Sequence, residues 1–364
     1  MKAILLVALV AGAVSCPAQQ SAQRVPGVDD IRDAILTANA HHTEEAVRLF
    51  TNAIQLRTDR LKDPALTATE KSYLYYYRGR AYQYRSRIER DIAHTAAAYQ
   101  DPEHRADEDE YASIADFGAA IATDPSNAEA YRSRGEAEDS EDKAIADLTA
   151  ALKLNTLDAK ETAETYFARG QHTEFHNPTA AIADYSSALS LDPTYAGAYY
   201  GRGKLYDEQG HRDLALADYS SALPLVAGAP AELFGVADIY YRRGDDDQQA
   251  GREDLAIADL TVAIAAPESA WHDPSNNLGY AYRSRAKAEE RKHQYKEAVA
   301  DYTKILDLGL LVPENQAEIY KERGDAYAHL GQHKEAKADH DEEREVKLDL
   351  LCNREGFEAC SMEK

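Results

Sequence analysis

The feature that most constrains the fold of this chain is a short motif that recurs along most of its length. The motif is an apolar residue, then Ala, then Asp, then an aromatic residue or Leu. Its copies are IADF at 114–117, IADL at 145–148, IADY at 182–185, LADY at 216–219, IADL at 257–260, VADY at 299–302 and a degenerate KADH at 337–340. A weaker relative, AVRLF, occupies 46–50. Such internal repetition predicts a stack of similar units in which each unit packs on its neighbours.

A second motif recurs in step with the first and precedes it in each unit. Examples are YYYRGRAY at 75–82, YRSRGEAE at 131–138 and YYGRGKLY at 199–206. Within one unit, Tyr199, Arg202 and Tyr206 are spaced by three and four residues, and Ala215 and Tyr219 by four, which places each set on one helix face. Gly210 lies between the two sets and predicts a turn. Each unit therefore reads as two helices joined by a turn.

This pattern resembles the tetratricopeptide repeat, a helix-turn-helix unit of about 34 residues. The resemblance implies an all-α, right-handed superhelical solenoid of about eight units. It also implies that the first helices line a concave groove that binds partner proteins. The predicted array covers residues 28–348, with units at about 28–62, 72–125, 128–156, 163–195, 196–229, 237–267, 279–310 and 317–348.

Three stretches of the array depart from the repeat. The first unit lacks the Tyr and Gly of its first helix, as a capping unit does. The second carries an insertion at 83–111, which is either a projecting hairpin or a lengthening of both helices. In the last unit His340 and Glu343 replace the aromatic residue and Ala. Burying these polar groups is costly, so this helix is expected to face water on its outer side as the C-terminal cap. A tail follows at 349–364.

The N-terminus is typical of an exported protein. Residues 1–15 contain one Lys and then an apolar run too short to span a bilayer, which predicts a signal peptide. The sequence before Cys16 resembles the lipobox of bacterial lipoproteins, and this implies lipidation of Cys16; simple cleavage near Ala13 or Ser15 is the alternative. Residues 16–27 are expected to form a flexible tether. We therefore expect a location in the bacterial envelope on the periplasmic side, lipid-anchored, or otherwise a soluble periplasmic or secreted protein.

Two further cysteines, Cys352 and Cys360, lie near the C-terminus. In an oxidising compartment they form either a disulfide or two free thiols in the tail.

Charge and motifs argue against several classes of function. The chain has 41 basic and 64 acidic residues and a formal net charge of −23, so a nucleic acid is not expected as a partner. The stretch HTEFH at 172–176 lacks the HExxH order of zinc proteases and reads as a turn between helices. No catalytic, metal or cofactor motif is recognised. The chain is therefore expected not to be an enzyme and to use no cofactor or metal.

A matched set of Arg and Asp residues predicts ion pairs between the two helices of each unit. The family usually has Leu where this chain has Arg. In the last four units the separation is a constant sixteen, giving Arg202 with Asp218, Arg243 with Asp259, Arg285 with Asp301, and Arg323 with Asp339. Arg can engage a carboxylate with two bonds. The alternative is that both residues face water independently.

The resemblance also implies which residues line the groove. The partner-binding residues carried over from the family's groove positions are Tyr76, Arg80, Arg132, Phe167, Tyr200, Lys204, Tyr241, Arg283, Lys287 and Lys321. Of these, Arg283, Lys287 and Lys321 form a basic cluster suited to an acidic peptide. The aromatic members either grip a partner or pack between neighbouring units.

The function favoured by the sequence is a protein-interaction scaffold in the bacterial cell envelope that binds a peptide or partner protein in this groove. Two alternatives remain. One is a carrier or assembly factor for envelope machinery. The other is a receptor for a small ligand such as a sugar, with Tyr76, Tyr200, Tyr241 and Trp271 as stacking platforms. Trp271 alternatively packs as a loop side chain onto the solenoid.

Overall fold

The computed structural model describes residues 43–95, 102–226, 235–271, 274–309 and 312–355, and these form an all-α helical repeat fold. The described residues contain fifteen α-helices and no strand. The helices are α1 Thr43–Arg60, α2 Ala68–Thr95, α3 Pro102–Thr123, α4 Ala128–Ala137, α5 Glu141–Leu154, α6 Ala159–Thr173, α7 Pro178–Leu191, α8 Ala196–Glu208, α9 Arg212–Val226, α10 Val236–Gln249, α11 Glu253–Ala265, α12 Pro274–Arg291, α13 Tyr295–Leu308, α14 Pro313–His329 and α15 His333–Glu355.

The chain divides into two compact units, an N-terminal unit ending at Arg202 and a C-terminal unit beginning at Gly203. Within each unit, consecutive helices pack as antiparallel pairs, as the repeats predict. Residues 1–42 lie outside the described part of the chain. The predicted signal peptide, Cys16, the tether and the first helix of the capping unit belong to that segment. Among the described helices, none combines the length and apolar character that crossing a membrane requires.

Polar caps set the helix boundaries around the third and fourth repeats. The Asn127 side chain accepts a hydrogen bond from the backbone N–H of Ala130 at the start of α4. Asp158 and Glu161 form a reciprocal capping box on α6. Asn177 caps α7, and Pro178 follows at its first turn, where no backbone donor is needed. The predicted turn at HTEFH is therefore the connection between α6 and α7, although His172 belongs to the end of α6.

Within most pairs the two helices cross closely because the first helix carries a glycine where the second carries a large side chain; in the α12–α13 pair Ala286 takes the place of the glycine. A Cβ added at Gly170 would lie 2.6 Å from a ring carbon of Tyr185, and one added at Gly203 would lie 2.9 Å from a ring carbon of Tyr219. Both tyrosines are almost fully buried. The Gly of the second motif and the aromatic residue of the first motif therefore pack directly against each other.

The insertion at 83–111 lengthens both helices of the second repeat. α2 continues to Thr95, and α3 begins at Pro102. The added turns pack on each other through Arg85, whose Nε and Nη2 lie 2.6 and 2.7 Å from the Asp109 carboxylate. The structure thus shows lengthened helices, and the other alternative, a separate projecting hairpin, does not apply.

A recurring contact, here called an arginine rung, joins three helices. In each rung the arginine binds an Asp of the next helix through both Nε and Nη2, at 2.5 to 2.8 Å. The pairs are Arg78–Asp116, Arg85–Asp109, Arg134–Asp147, Arg169–Asp184, Arg243–Asp259, Arg285–Asp301 and Arg323–Asp339. The pair Arg202–Asp218 spans the division between the two units and remains a prediction.

Except at Arg134, each of these rungs also contacts the preceding repeat. Nη1 of the arginine donates to a Ser or Thr hydroxyl on the second helix of that repeat, for example Arg285 to Thr261 at 3.1 Å and Arg323 to Thr303 at 3.1 Å. The guanidinium also lies over the ring of a Tyr three residues earlier, as Arg285 does over Tyr282 at 5.7 Å. The alternative in which Arg and Asp face water independently does not hold for these pairs, since the Asp301 side chain is only 7% exposed.

The last helix, α15, continues to Glu355, beyond the predicted end of the array at 348. His340 occupies the aromatic position against Gly324 with 35% of its side chain exposed. Glu343 binds Lys347 at 2.6 Å. Cys352 lies in α15 and is disulfide-bonded; Cys360 lies outside the described residues.

Candidate functional site

The N-terminal unit contains a cavity of about 570 Å³ formed by α2, α3, α4 and α6 together with Tyr195. Its volume falls in the range of ligand-binding clefts. Two elements of the sequence build it. The repeat places the first helices α2, α4 and α6 side by side, and the lengthening of α2 extends one wall beyond the ordinary repeat.

That wall is a stripe of polar side chains along α2, here called the α2 stripe: Arg80, Gln83, Tyr84, Arg87 and Arg90. Spacings of three and four residues place all five on one helix face. Arg80 donates to the hydroxyls of Tyr76, at 3.2 Å, and Tyr84. Its Nε is inaccessible to solvent and has no hydrogen-bond partner among the described residues.

The opposite side is dominated by carboxylates around one arginine. Arg132 of α4 is 7% exposed. Its Nη1 lies 2.9 Å from Glu136 and 3.4 Å from Glu164, and its Nη2 lies 3.9 Å from Glu161. Burial lowers the pKa of Arg132, but the charge of Glu136 and its neighbours outweighs this and the net direction is upward.

The same environment acts on nearby acids. Burial, followed by the charge of Glu161, raises the pKa of Glu129 to about 7. Burial also raises the pKa of Glu164, against the opposing effect of Arg132. We refer to Glu129, Glu136, Glu161 and Glu164 as the glutamate cluster. The raised pKa values of Glu129 and Glu164 arise first from burial, and the opposing charges of Arg132, Arg80 and Lys160 do not cancel that effect.

Aromatic rings complete the lining. Phe167 of α6 packs against Tyr195, with ring centroids 4.8 Å apart, and against Tyr185, at 5.7 Å. The cavity therefore combines an aromatic patch with a basic wall and an acidic side.

Three of the predicted groove residues, Arg80, Arg132 and Phe167, line this cavity. Tyr76 does not line the cavity, since it is only 5% exposed. Its ring centroid lies 6.0 Å from that of Phe117, and its hydroxyl accepts a hydrogen bond from Arg80. Burial raises its pKa to about 12. Tyr200 is half-buried in α8 and is not among the lining residues.

The other predicted groove residues belong to the C-terminal unit. Lys204 and Tyr241 are half-buried, and Lys321 is exposed. Arg283 binds Glu318 and Glu322 of α14, and Lys287 lies 3.3 Å from Glu322. The expectation of a basic cluster open to an acidic peptide is therefore wrong for Arg283 and Lys287, because the next repeat supplies their counter-ions.

Two of the proposed stacking platforms are also corrected. Trp271 is 6% exposed and packs on Tyr241, with ring centroids 6.1 Å apart. Tyr76 is equally covered. Neither offers a free ring face to a sugar. Trp271 instead packs on the helices as a loop side chain, which is the alternative given for it in the sequence analysis.

Histidines do not assemble into a metal site in the described part of the chain, where no cluster of His, Cys, Asp and Glu has metal-binding geometry. His172 lines the cavity. His176 instead contacts Glu141, with Nε2 2.6 Å from Oε2.

Sequence reasoning missed Tyr84, Arg87, Arg90 and Tyr195. The signal for the first three was present, because they continue the helical spacing of Arg80 into the insertion. The groove positions that the resemblance implies lie within the standard repeat length, and these three residues lie in the insertion. Tyr195 lies just before α8 and no spacing rule identifies it.

Comparisons with known proteins agree with the repeat architecture. Residues 163–210 match the family model described as TPR repeat, which agrees with the resemblance seen in the sequence. A human protein named Tetratricopeptide repeat protein 6 is 36% identical over 110 residues, which is 29% of this chain. The chain spans about a fifth of the length of that relative. None of these names indicates a catalytic family.

Solved structures of similar proteins include YrrB, described as a TPR protein with an unusual peptide-binding site. It is 21% identical, with 56% of this chain and 94% of YrrB covered and a TM-score of 0.46. A tetratricopeptide repeat protein from Parabacteroides merdae is 16% identical, with 81% of this chain and 97% of that chain covered and a TM-score of 0.41.

Proposed function

We propose that this protein is a protein-interaction scaffold whose N-terminal unit binds a peptide segment of its partner in the cavity between α2, α4 and α6. The observation that carries the proposal is the convergence of arginines and aromatic rings on one cavity of about 570 Å³. Arg and Tyr are the side chains that contribute most at protein interfaces. The cavity lies on first helices, the elements through which the resemblance implies partner binding.

The test is a selection of peptides from a random displayed library on the full-length protein, followed by fluorescence anisotropy with the tightest binder. Gln171 is exposed and lines the cavity, so Gln171→Trp fills the cavity without disturbing the packed interior. We expect it to weaken binding of the selected peptide by about tenfold or more, in the range of hot-spot effects.

Thr179→Trp is the matched control. Thr179 is exposed on α7 and is not a lining residue. The same bulky side chain there should leave the affinity within about twofold, because surface changes away from a site have small effects. Failure to select any peptide, or equal binding by the Gln171→Trp variant, contradicts the proposal.

We further propose that the scaffold works in the bacterial envelope, held on the periplasmic side by a lipid on Cys16. The support is the sequence of residues 1–16. Fractionation of a bacterial host expressing wild type and Cys16→Ala tests it. Wild type is expected in the membrane fraction and the variant outside it, and an identical distribution of both contradicts the lipid anchor.

A further inference from the structure

Two arginines of the α2 stripe, Arg80 and Arg87, form no ion pair with a carboxylate of the described residues, although the charge of Glu136 does act on Arg80. Arg87 is exposed and has no ion pair there, and Arg80 is bound only to tyrosine hydroxyls. Arg90 differs, because it pairs with Asp107 and Glu110. The part of the wall formed by Arg80 and Arg87 therefore offers two guanidinium groups, with Tyr84 between them, to an incoming anion.

The glutamate cluster has the opposite excess. Glu136, Glu161 and Glu164 share the single guanidinium of Arg132, and Lys160 lies 3.8 Å from Glu164. A cation placed beside Glu136 and Glu164 would relieve the repulsion among these acids. The Nε of Arg132 is also inaccessible to solvent and lacks a hydrogen-bond partner among the described residues, so this guanidinium is not fully satisfied by the cluster.

Two predicted groove cations of the C-terminal unit, Arg283 and Lys287, do have carboxylate partners. In the C-terminal unit, Glu318 and Glu322 engage Arg283, and Glu322 also engages Lys287. In the cavity the nearest acids instead surround Arg132. Arg80 and Arg87 thus differ from Arg283 and Lys287, whose counter-ions the next repeat supplies.

We propose that the peptide bound in this cavity is of mixed charge. An acidic side chain lies against Arg80 and Arg87, a basic side chain lies against Glu136 and Glu164, and an apolar or aromatic residue between them packs on Phe167 and Tyr195. Uncompensated charges on both sides select for such a partner because a peptide of one sign would be repelled by one of the two walls. This inference rests on the proposed function and specifies its partner.

The experiment uses the selected peptide and three versions in which its acidic residue, its basic residue, or both are replaced by Gln. Each single replacement is expected to weaken binding about tenfold. Arg87→Gln should weaken the parent peptide by a similar factor and leave the version without the acidic residue unchanged. Glu164→Gln should likewise weaken binding of the parent peptide by a similar factor and leave the affinity for the version without the basic residue unchanged.

Arg48→Gln is the control, since Arg48 is exposed on α1, outside the cavity lining. It should leave all four affinities unchanged. If the selected peptide contains no such pair of charges, or if the doubly replaced version binds as tightly as the parent, the mixed-charge inference is overturned. The proposed function still stands in that case as long as Gln171→Trp weakens binding by about tenfold or more.

Discussion

At every arginine rung except that of Arg134, one guanidinium contacts three partners: an Asp, a hydroxyl of the preceding repeat and a tyrosine ring. Arg285 shows all three, with Asp301, Thr261 and Tyr282. A planar fork with several donors is needed for this, and neither the usual Leu of the repeat family nor Lys provides it. The hydroxyl is held in place because Thr261 itself donates to the carbonyl of Ile257. The rung therefore fixes both the pairing within a repeat and the contact with the previous one.

One rung lacks the hydroxyl. Opposite Arg134 the equivalent residue is Gly118, and a Cβ added there would lie 3.5 Å from Nη1 of Arg134, an ordinary contact distance. We predict that Gly118→Ser stabilises the protein by about 1–2 kcal/mol. Part of the gain comes from helix propensity and part from a hydrogen bond to a charged donor. Urea denaturation measures the change.

Gly118→Ala separates the two contributions. It carries the helix-propensity gain of about 1 kcal/mol without a hydroxyl. Gly118→Ser should stabilise the protein more than Gly118→Ala does when Arg134 is present. In an Arg134→Gln background, it should stabilise the protein by the same amount as Gly118→Ala or by less. Equal effects of Ser in both backgrounds would show that no hydrogen bond forms.

Buried acids make the stability of the chain sensitive to pH. Glu289 is 7% exposed, and its Oε2 has no hydrogen-bond partner among the described residues. Burial first, then the charge of Asp301, raises its pKa to about 8, while Arg285 opposes the shift. Burial is also the largest cause that raises the pKa of Glu129, Asp246 and Glu290 to about 7.

A pKa raised in the folded state gives stability that is complete at low pH and is lost as pH rises through the folded value. We predict that the unfolding free energy falls as pH rises from about 5 to about 8, with Glu289 contributing about 1.4 kcal/mol for each pH unit between its ordinary pKa of 4.5 and its folded value of about 8, and that this contribution levels off above pH 8. Glu289→Gln should remove that part of the fall. Parallel pH profiles of wild type and variant, measured by urea denaturation, would contradict the assignment.

At the scale of helices, the close crossing within most pairs depends on glycine in the first helix, as it does at Gly170 of α6. We predict that Gly170→Ala destabilises the protein by about 1–3 kcal/mol, because its Cβ would overlap the ring of Tyr185 in a packed interior. Alanine ordinarily stabilises a helix relative to glycine, so the sign of the effect is diagnostic. Thermal unfolding of Gly170→Ala beside Gly118→Ala, where the added Cβ makes only an ordinary contact, provides the comparison; stabilisation by both would contradict the predicted overlap with Tyr185.

The contact between Gly170 and Tyr185 also shows which parts of the fold can be predicted from the sequence. The pairing of Gly170 with Tyr185, and the helix pairs built on such contacts, follow from motifs that repeat at a fixed offset. The insertion does not repeat, so its residues fitted a hairpin as well as the lengthened helices that build the cavity wall. Likewise, the neutralisation of Arg283 depends on Glu318 and Glu322 of the following repeat, whose offset no motif fixes. Periodic features were predictable, and the candidate site arises mainly where periodicity is broken.

Across the whole molecule, acidic residues outnumber basic ones and the formal net charge is −23. Against that background, the cavity presents Arg80 and Arg87, which form no ion pair among the described residues. Long-range attraction by the chain favours cationic partners, while the α2 stripe requires an anionic group at one point. A partner of mixed charge satisfies both conditions, which joins the composition of the chain to the chemistry of its cavity.

The central claim is that partner binding takes place in the cavity of the N-terminal unit, and hydrogen exchange read by mass spectrometry with and without the selected peptide tests it most directly. We predict slower exchange in the parts of α2, α4 and α6 that carry the α2 stripe, Arg132 and Phe167. Exchange in α12 and α14 of the C-terminal unit should not change. Protection confined to α12 and α14, or no protection in α2 and α6 at saturating peptide, would contradict the account.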